Sequence, residues 1–427
     1  PTAAKGENQM TRYPFPARRT WNVLFALYLL ALVYLNRDSQ AGLYLLGFFR
    51  AQALSIGLTL GVGLVFLVYN RNRIGSILLD GRVLLFVLFS LTIVIPMAIK
   101  RDWQMMYISM VYCIAVAVLI SYFADIRQTA RAYILILALL AAASILCSYG
   151  LRLLADRGVL VPPVFENSFQ ARFYNYLLCY VPINYAKTRN FGIFREPGVY
   201  QFFLFLALYL NNYQADWDSG KRTWGLNALL VTAMLTTFST CGVAVTAVFL
   251  IALYFDRRVY DTPLGRKLSL VLFALLALVA AWLVAAKPPL YTQLKLMVEK
   301  LFTSNPSLND RIDCIKFNLY VIQWDRFTGR ELAYILETVT HNTSSSTILF
   351  GILGLFFGWL NLFGWVTLVF RGRGHLPMKL VCLVTLAATF NTENLITNPY
   401  FWLFPILALT EGLLPLANAP RKNLRKA

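Results

Sequence analysis

Apolar residues run along this chain in long blocks, broken by short turns rich in arginine and lysine and by two longer polar stretches. The blocks repeat at roughly 17–25 residues, the length a helix needs to cross the hydrocarbon core of a bilayer. They predict spans at 20–36, 51–69, 83–99, 103–124, 132–151, 198–213, 223–238, 241–255, 268–286, 345–370, 376–391 and 399–417. The pair 223–238 and 241–255 is divided by the Ser239–Gly242 break, and 198–213 is short for a span. The predicted fold is all-α: a polytopic integral membrane protein of about 12 transmembrane helices, with residues 1–427 forming one membrane domain.

Composition sharpens that picture. Of 427 residues, 58% are hydrophobic and 14% are charged, against about 25% charged in soluble domains. The net charge of +19 would indicate nucleic acid in a soluble protein, but here lysine and arginine retain loops on the cytoplasmic side and meet anionic lipid. Arg12, Arg18 and Arg19 precede the first span, and Arg71, Arg73 and Arg82 fill the next turn. The alternation continues through Arg127 and Arg131, Lys221 and Arg222, Arg257 to Lys267, Arg371 to Lys379, and the tail from Arg421 to Lys426. This places both termini in the cytoplasm and turns the long loops 152–197 and 287–344 outward. No cleavable signal peptide is expected, and Pro1 to Gln9, ahead of Met10, reads as an expression remnant outside the fold.

Neither outward loop has the composition of a linker. The stretch from Val161 to Phe173 mixes proline with aromatics, and 311–338 alternates at roughly helical spacing. Both are expected to lie on the membrane surface as short amphipathic helices. Six cysteines are scattered singly, without CxxC or other metal spacing; only Cys179 and Cys314 stand where they could meet outside.

Candidate chemistry gathers in these loops. Arg189 to Gly198 reads RNFGIFREPG, two guanidiniums and Glu196 just before a span. A guanidinium fork suits phosphate, and a helix entered through Pro197-Gly198 presents an anion-favouring N-terminus. The bland reading is interfacial arginines paired with Glu196. Arg311, in Asp310-Arg311, is a phosphate ligand from the other loop or half of an exposed ion pair. His341 titrates near neutrality and can take a proton from an attacking hydroxyl; with Asn342 it also precedes a Ser/Thr run suited to a helix cap. Glu393 lies in an outward turn, where a carboxylate can contact substrate hydroxyls or face water. Asp216-Trp217-Asp218 is discounted as a charged cytoplasmic turn, and Gly354-x-x-x-Gly358 as close helix packing. Glu411, inside the last span, is costly unless paired.

In this order the motifs resemble the bacterial O-antigen polymerase and O-antigen ligase superfamily. The likeness rests on RNFGIFREPG, Asp310-Arg311, His341-Asn342 followed by Gly351 to Gly354, the closing ENLITNPYFWLFPIL, and the late outward loop. It implies a metal-independent glycosyltransferase with a GT-C-like fold, no cofactor, and an active site facing the periplasm across a bacterial inner membrane. Its partners would be an undecaprenyl-diphosphate-linked glycan and membrane lipid, with room for a chain-length regulator and none for nucleic acid. By the same likeness Arg189, Arg195 and Arg311 hold the diphosphate, His341 and Glu196 are catalytic, and Asn342 and Glu393 contact acceptor or glycan. The family often carries a Ser-Arg pair opening a mid-chain helix; here that place reads Ser239-Thr240-Cys241-Gly242, without the arginine.

The Glu-Pro-Gly pattern favours polymerisation of repeat units over ligation to lipid A core. A transferase using a polyprenyl monophosphate sugar would place its base at Asp38, in the first outward loop. A polysaccharide flippase would want charges inside the spans and symmetry between halves.

Overall fold

The computed structural model describes residues 18–257, 306–339 and 342–417. Helices stand at every predicted span within a few residues, except 268–286, which lies outside the described residues. They are α1 (Arg18–Tyr34), α2 (Phe48–Tyr69), the short α3 (Ile74–Leu78), α4 (Gly81–Lys100), α5 (Met105–Ser121) and α6 (Ile126–Ile145). A π-helical turn leads from α6 into α7 (Arg152–Asp156), followed by α8 (Pro197–Tyr213), α9 (Gly220–Thr236) and α10 (Thr240–Asp256). The second half supplies α11 (Pro306–Trp324), α12 (Leu332–Thr338), α13 (Ser345–Arg371), α14 (Leu376–Phe390) and α15 (Pro399–Ala417). Among the described residues, four helices are long and apolar enough to cross a membrane: Phe48–Tyr69, Gly81–Lys100, Ile126–Asp156 and Ser345–Arg371.

The core is built around α8. All of its residues are buried, as expected of a helix that is apolar all round. It packs against α6, α9, α10 and α14, while α15 packs on α5 and α13. Rings lock these helices together: Phe194 and Phe203 lie 4.3 Å apart, Trp365 and Phe390 4.3 Å, and Tyr133 and Tyr400 5.1 Å. Toward its far end α8 is tied to α9 by amides, with Asn211 and Asn212 both donating to Asn227 Oδ1.

The first long loop departs from expectation. Instead of amphipathic helices it folds as an antiparallel sheet of β1 (Val164–Glu166), β2 (Arg172–Asn175) and β3 (Tyr180–Pro182), in the order β1-β2-β3. The aromatic content that looked amphipathic is a strand preference: Phe165 stacks on Phe173 at 5.3 Å, and Phe173 meets Phe191 edge-on at 5.5 Å. Asn167 sets the first turn, its side-chain oxygen accepting from the Phe169 and Ala171 amides. The sheet docks on the stretch after it through Tyr180 N–H to Gly192 O, 2.7 Å.

The second loop is helical as its spacing predicts, broken between α11 and α12. There Gly354 is a close-packing glycine, as expected, and also a helix break. At φ 79° and ψ 173° it interrupts α13, and a Cβ on it would sit 2.5 Å from the Phe327 carbonyl carbon. The loop after α11 enters this gap: Arg330 N–H donates to Gly351 O and Leu355 N–H to Arg326 O. Lys100 Nζ donates to the Arg330 and Ile352 carbonyls, and Asp102 accepts from Leu332 N–H. Backbone groups freed by the break therefore find partners, as burial requires.

At the opposite end of the bundle the charges are paired. Asp216 binds Arg127 and Arg373, and Trp217 lies under the Arg222 guanidinium at 4.0 Å, so this is the charged turn expected. Glu411 accepts from Ile126 N–H and pairs with Arg371 at 3.7 Å, which accounts for a carboxylate in the last helix.

Candidate functional site

The stretch from Arg189 to Gly198 is held in place by neighbours on both sides. Asn190 donates to Ser144 and Thr236 side chains, joining the ends of α6 and α9. On the other side Gln40 N–H donates to Ile193 O and Arg195 N–H to Asp38 O, so the turn after α1 runs beside it as a short pairing. Pro197 then opens α8 from its first position, where its missing N–H costs nothing.

Arg195 is the centre of the resulting cluster. Its Nε donates to Asp38 Oδ1 at 3.2 Å, Nη1 to Glu196 Oε1 at 3.0 Å and Nη2 to Glu393 Oε2 at 3.3 Å. Arg311, brought in by α11, reaches the other oxygen of Glu393 at 3.8 Å. Arg189 donates to Thr237 O and feels the charges of Glu196, Arg311 and Glu393. Arg195 and Arg311, predicted from two distant segments, thus share Glu393, and Arg189 lies near enough to feel its charge.

The electrostatics follow from burial. The Asp38 side chain is 1% exposed and that of Glu393 4%, whereas that of Glu196 is 52% exposed. Burial pushes Glu393 up to about 8; Glu196 and Asp38 add to that push, and Arg195 and Arg311 pull against it. Burial also lowers the Arg189 guanidinium, while Arg195, despite the same penalty, is held above its ordinary value by Asp38 and Glu393. Gly198 permits this packing: a Cβ there would collide with Glu393 Oε1.

Among the described residues, three helix N-termini border the cluster. Glu196 precedes α8, Ser239 caps α10 by accepting from Gly242 N–H, and Ser344 caps α13 by accepting from Thr347 N–H. Ser239 Oγ also donates to Gln201 on α8, and Ser345 Oγ to the Glu393 carbonyl. Helix N-termini add positive potential to that of the guanidiniums. At Ser239-Thr240-Cys241-Gly242 the fold presents a capped helix end.

No protein-family profile, curated protein or solved structure matches this chain.

The other predicted residues divide. His341 lies outside the described residues. Asn342 is buried and exchanges amide hydrogen bonds with Asn318 of α11, at 2.8 and 3.2 Å, and is hydrogen-bonded to none of the three arginines among the described residues. Glu393 sits among the arginines and holds two of them. Cys179 is beside Cys147, not Cys314, and among the described residues every cysteine is a free thiol.

Sequence reasoning overlooked Asp38 as a partner of Arg195. Its carboxylate is closed off, Oδ2 accepting from Asn398 Nδ2 at 2.7 Å and Oδ1 from Arg195, which removes support for Asp38 as a catalytic base. The signal was present: an Asp beside an Arg, directly after an apolar span, has to find a partner. Asn318, Gln201 and Asn398 gave no such signal, because a single amide in a helix or a turn does not disclose its partner.

Proposed function

We propose that this chain polymerises undecaprenyl-diphosphate-linked oligosaccharide repeat units into a surface polysaccharide, on the periplasmic face of a bacterial inner membrane. In this reading the helical bundle makes about twelve crossings in a GT-C-like arrangement, both termini are cytoplasmic, and the sheet and α11–α12 face outward. The alternation of helices supports it: Arg195, Glu393 and Arg311 gather at one end, while Asp216, Arg373 and Glu411 gather at the other.

The observation that carries the reading is the meeting of Arg195 and Arg311, from two distant segments, on the buried Glu393, with Arg189 nearby and three helix ends of the described residues beside them. Such a site is fitted to a polyanion. A diphosphate leaving group needs stabilisation of departing charge and a base for the incoming hydroxyl. Guanidiniums in a water-poor cleft supply the first, since preorganised charge acts strongly at low dielectric. Glu196, the exposed carboxylate of the cluster, and His341 are the residues assigned to the second. Glu393 and Asp38 orient the Arg195 fork, which keeps its geometry before substrate arrives. No metal is assigned a role in this mechanism.

The rival within the same chemistry is ligation of the glycan to lipid A core. Purified chain supplied with a defined lipid-linked repeat unit and no core acceptor should yield a ladder of longer lipid-linked glycans. Transfer that occurs only when core is added would make the protein a ligase. Transport of the lipid-linked unit across proteoliposomes without glycosyl transfer would make it a flippase.

A further inference from the structure

A small cavity with a guanidinium in its wall lies outside the Arg195 cluster, between α1, α2, α5 and the start of α15. It is a cavity of about 30 Å³ lined by Asn36, Arg37, Phe48, Gln52, Tyr112 and Thr397, among others. Two of the lining residues, Arg37 and Asn36, carry donors that are poorly satisfied or unsatisfied among the described residues. Arg37 makes one long hydrogen bond among the described residues, Nη1 to Thr397 Oγ1 at 3.5 Å, with the Phe48 ring 5.9 Å away. Asn36 is 6% exposed; its oxygen accepts from Asp38 N–H at 2.7 Å, and its Nδ2 has no partner among the described residues. A guanidinium and an orphan amide nitrogen facing one small cavity call for an anionic oxygen. A cavity this size takes one or two atoms as large as a water oxygen, which fits phosphoryl oxygens and excludes a sugar.

Below the pocket the same two helices open an apolar groove of about 640 Å³, lined by Leu24, Leu27, Tyr28, Ala31, Leu58 and Val62, with Gly57 and Gly61 in its wall. Ala31 is about one turn from Leu35 of the pocket and Leu58 slightly less than one turn from Ser55, roughly 4.5–6 Å along the chain axis. Among the described residues, a Cβ on Gly57 or Gly61 meets nothing within 4 Å. A charged pocket standing one turn above an open apolar groove has the shape of a phosphate-headed lipid.

We propose that α1 and α2 form a second lipid-phosphate site, in which Arg37 and Asn36 hold the phosphate and the groove at Gly57 and Gly61 holds the chain. The inference rests on the polymerisation reading in one respect: a polymerase joins two lipid-linked glycans, and this site carries the lipid of the acceptor. Asp38, which follows Arg37 and binds Arg195, separates the two anion sites.

The test is lipid stoichiometry on the full chain in phosphatidylcholine nanodiscs, read by native mass spectrometry during titration with undecaprenyl phosphate. The native protein should bind two molecules. Arg37→Gln should lose one, and Arg195→Ala should lose the other. Gly61→Leu, which fills open space without disturbing packing, should weaken the Arg37 site at least tenfold. Arg37→Lys should retain it in part, which separates charge from misfolding. One bound lipid, lost in Arg195→Ala but not in Arg37→Gln, overturns this site and leaves the function standing. No binding by the native protein overturns both. Displacement of the second lipid by equimolar phosphatidylglycerol, or by inorganic phosphate at matching affinity, would show a bulk-lipid or free-anion site instead and overturn the acceptor assignment.

Discussion

Gly198→Ala places a methyl group where Glu393 Oε1 now sits. The clash is with a buried carboxylate held by two arginines, so it has little room to retreat. A cost of about 1–3 kcal/mol is expected from such overpacking, with loss of turnover exceeding the loss of stability, as melting temperature and activity measured together would show. Glu393 itself makes a pH prediction. Its carboxyl is raised from 4.5 to about 8, so the neutral form is the one folding favours. The stability this gives is complete below 4.5 and is lost as pH rises through about 8. Glu393→Gln, fixed neutral, should therefore gain on the native protein across that window in melting experiments. Diphosphate affinity of the native protein should fall over the same range and stay flat in the variant. A variant that tracks the native protein at every pH would remove Glu393 from this role. The arginines of this cluster were legible in the sequence because buried cations next to an apolar block are conspicuous. Asp38 and the amides were not, since their meaning is a partner far away in the chain.

Single elements show what hydrophobic spacing can and cannot reveal. Blocks of apolar residues located the helices well, because a helix in lipid must be long and apolar whatever it packs against. The sheet after α7 was missed because its strands are only three or four residues long, too short for alternation to be distinguished from helical spacing. The break in α13 was missed for a different reason: Gly354 and Gly358 have the spacing of helix packing, and only the positive φ of Gly354 discloses the gap. Gly354→Ala should cost about 1–3 kcal/mol from the left-handed backbone alone, and more from the Phe327 contact. Lys100→Met removes the donor to the Arg330 and Ile352 carbonyls. Both variants should speed amide exchange across residues 325–335, and unchanged protection there would show that the clamp is dispensable.

Across the whole molecule, the alternation of helix directions brings the ends of α1, α6 and α9 to the starts of α2, α8, α10, α13 and α15. This was legible from the distribution of arginine and lysine among the turns, whereas the meeting of α11 with residues 391–398 was not, because surface loops carry no span to fix their approach. The proposed orientation makes a direct prediction. Cysteine introduced at Tyr185, which is 62% exposed, should react with a membrane-impermeant thiol reagent in intact spheroplasts. Cysteine at Asp218, in the turn at the other end, should react only after permeabilisation. Labelling of both from outside would rule out the topology.

The central claim is that two distant segments close over one cleft and grip a lipid diphosphate. A double-mutant cycle on Arg195→Ala and Arg311→Ala, measured as glycan elongation from a defined lipid-linked donor, tests it most directly. Each single change should slow turnover by about 10²–10³, and the pair should cost little more than the worse of the two, because the guanidiniums act as a unit on one ligand. Native turnover in either single variant, or independent effects that multiply in full, would contradict the account.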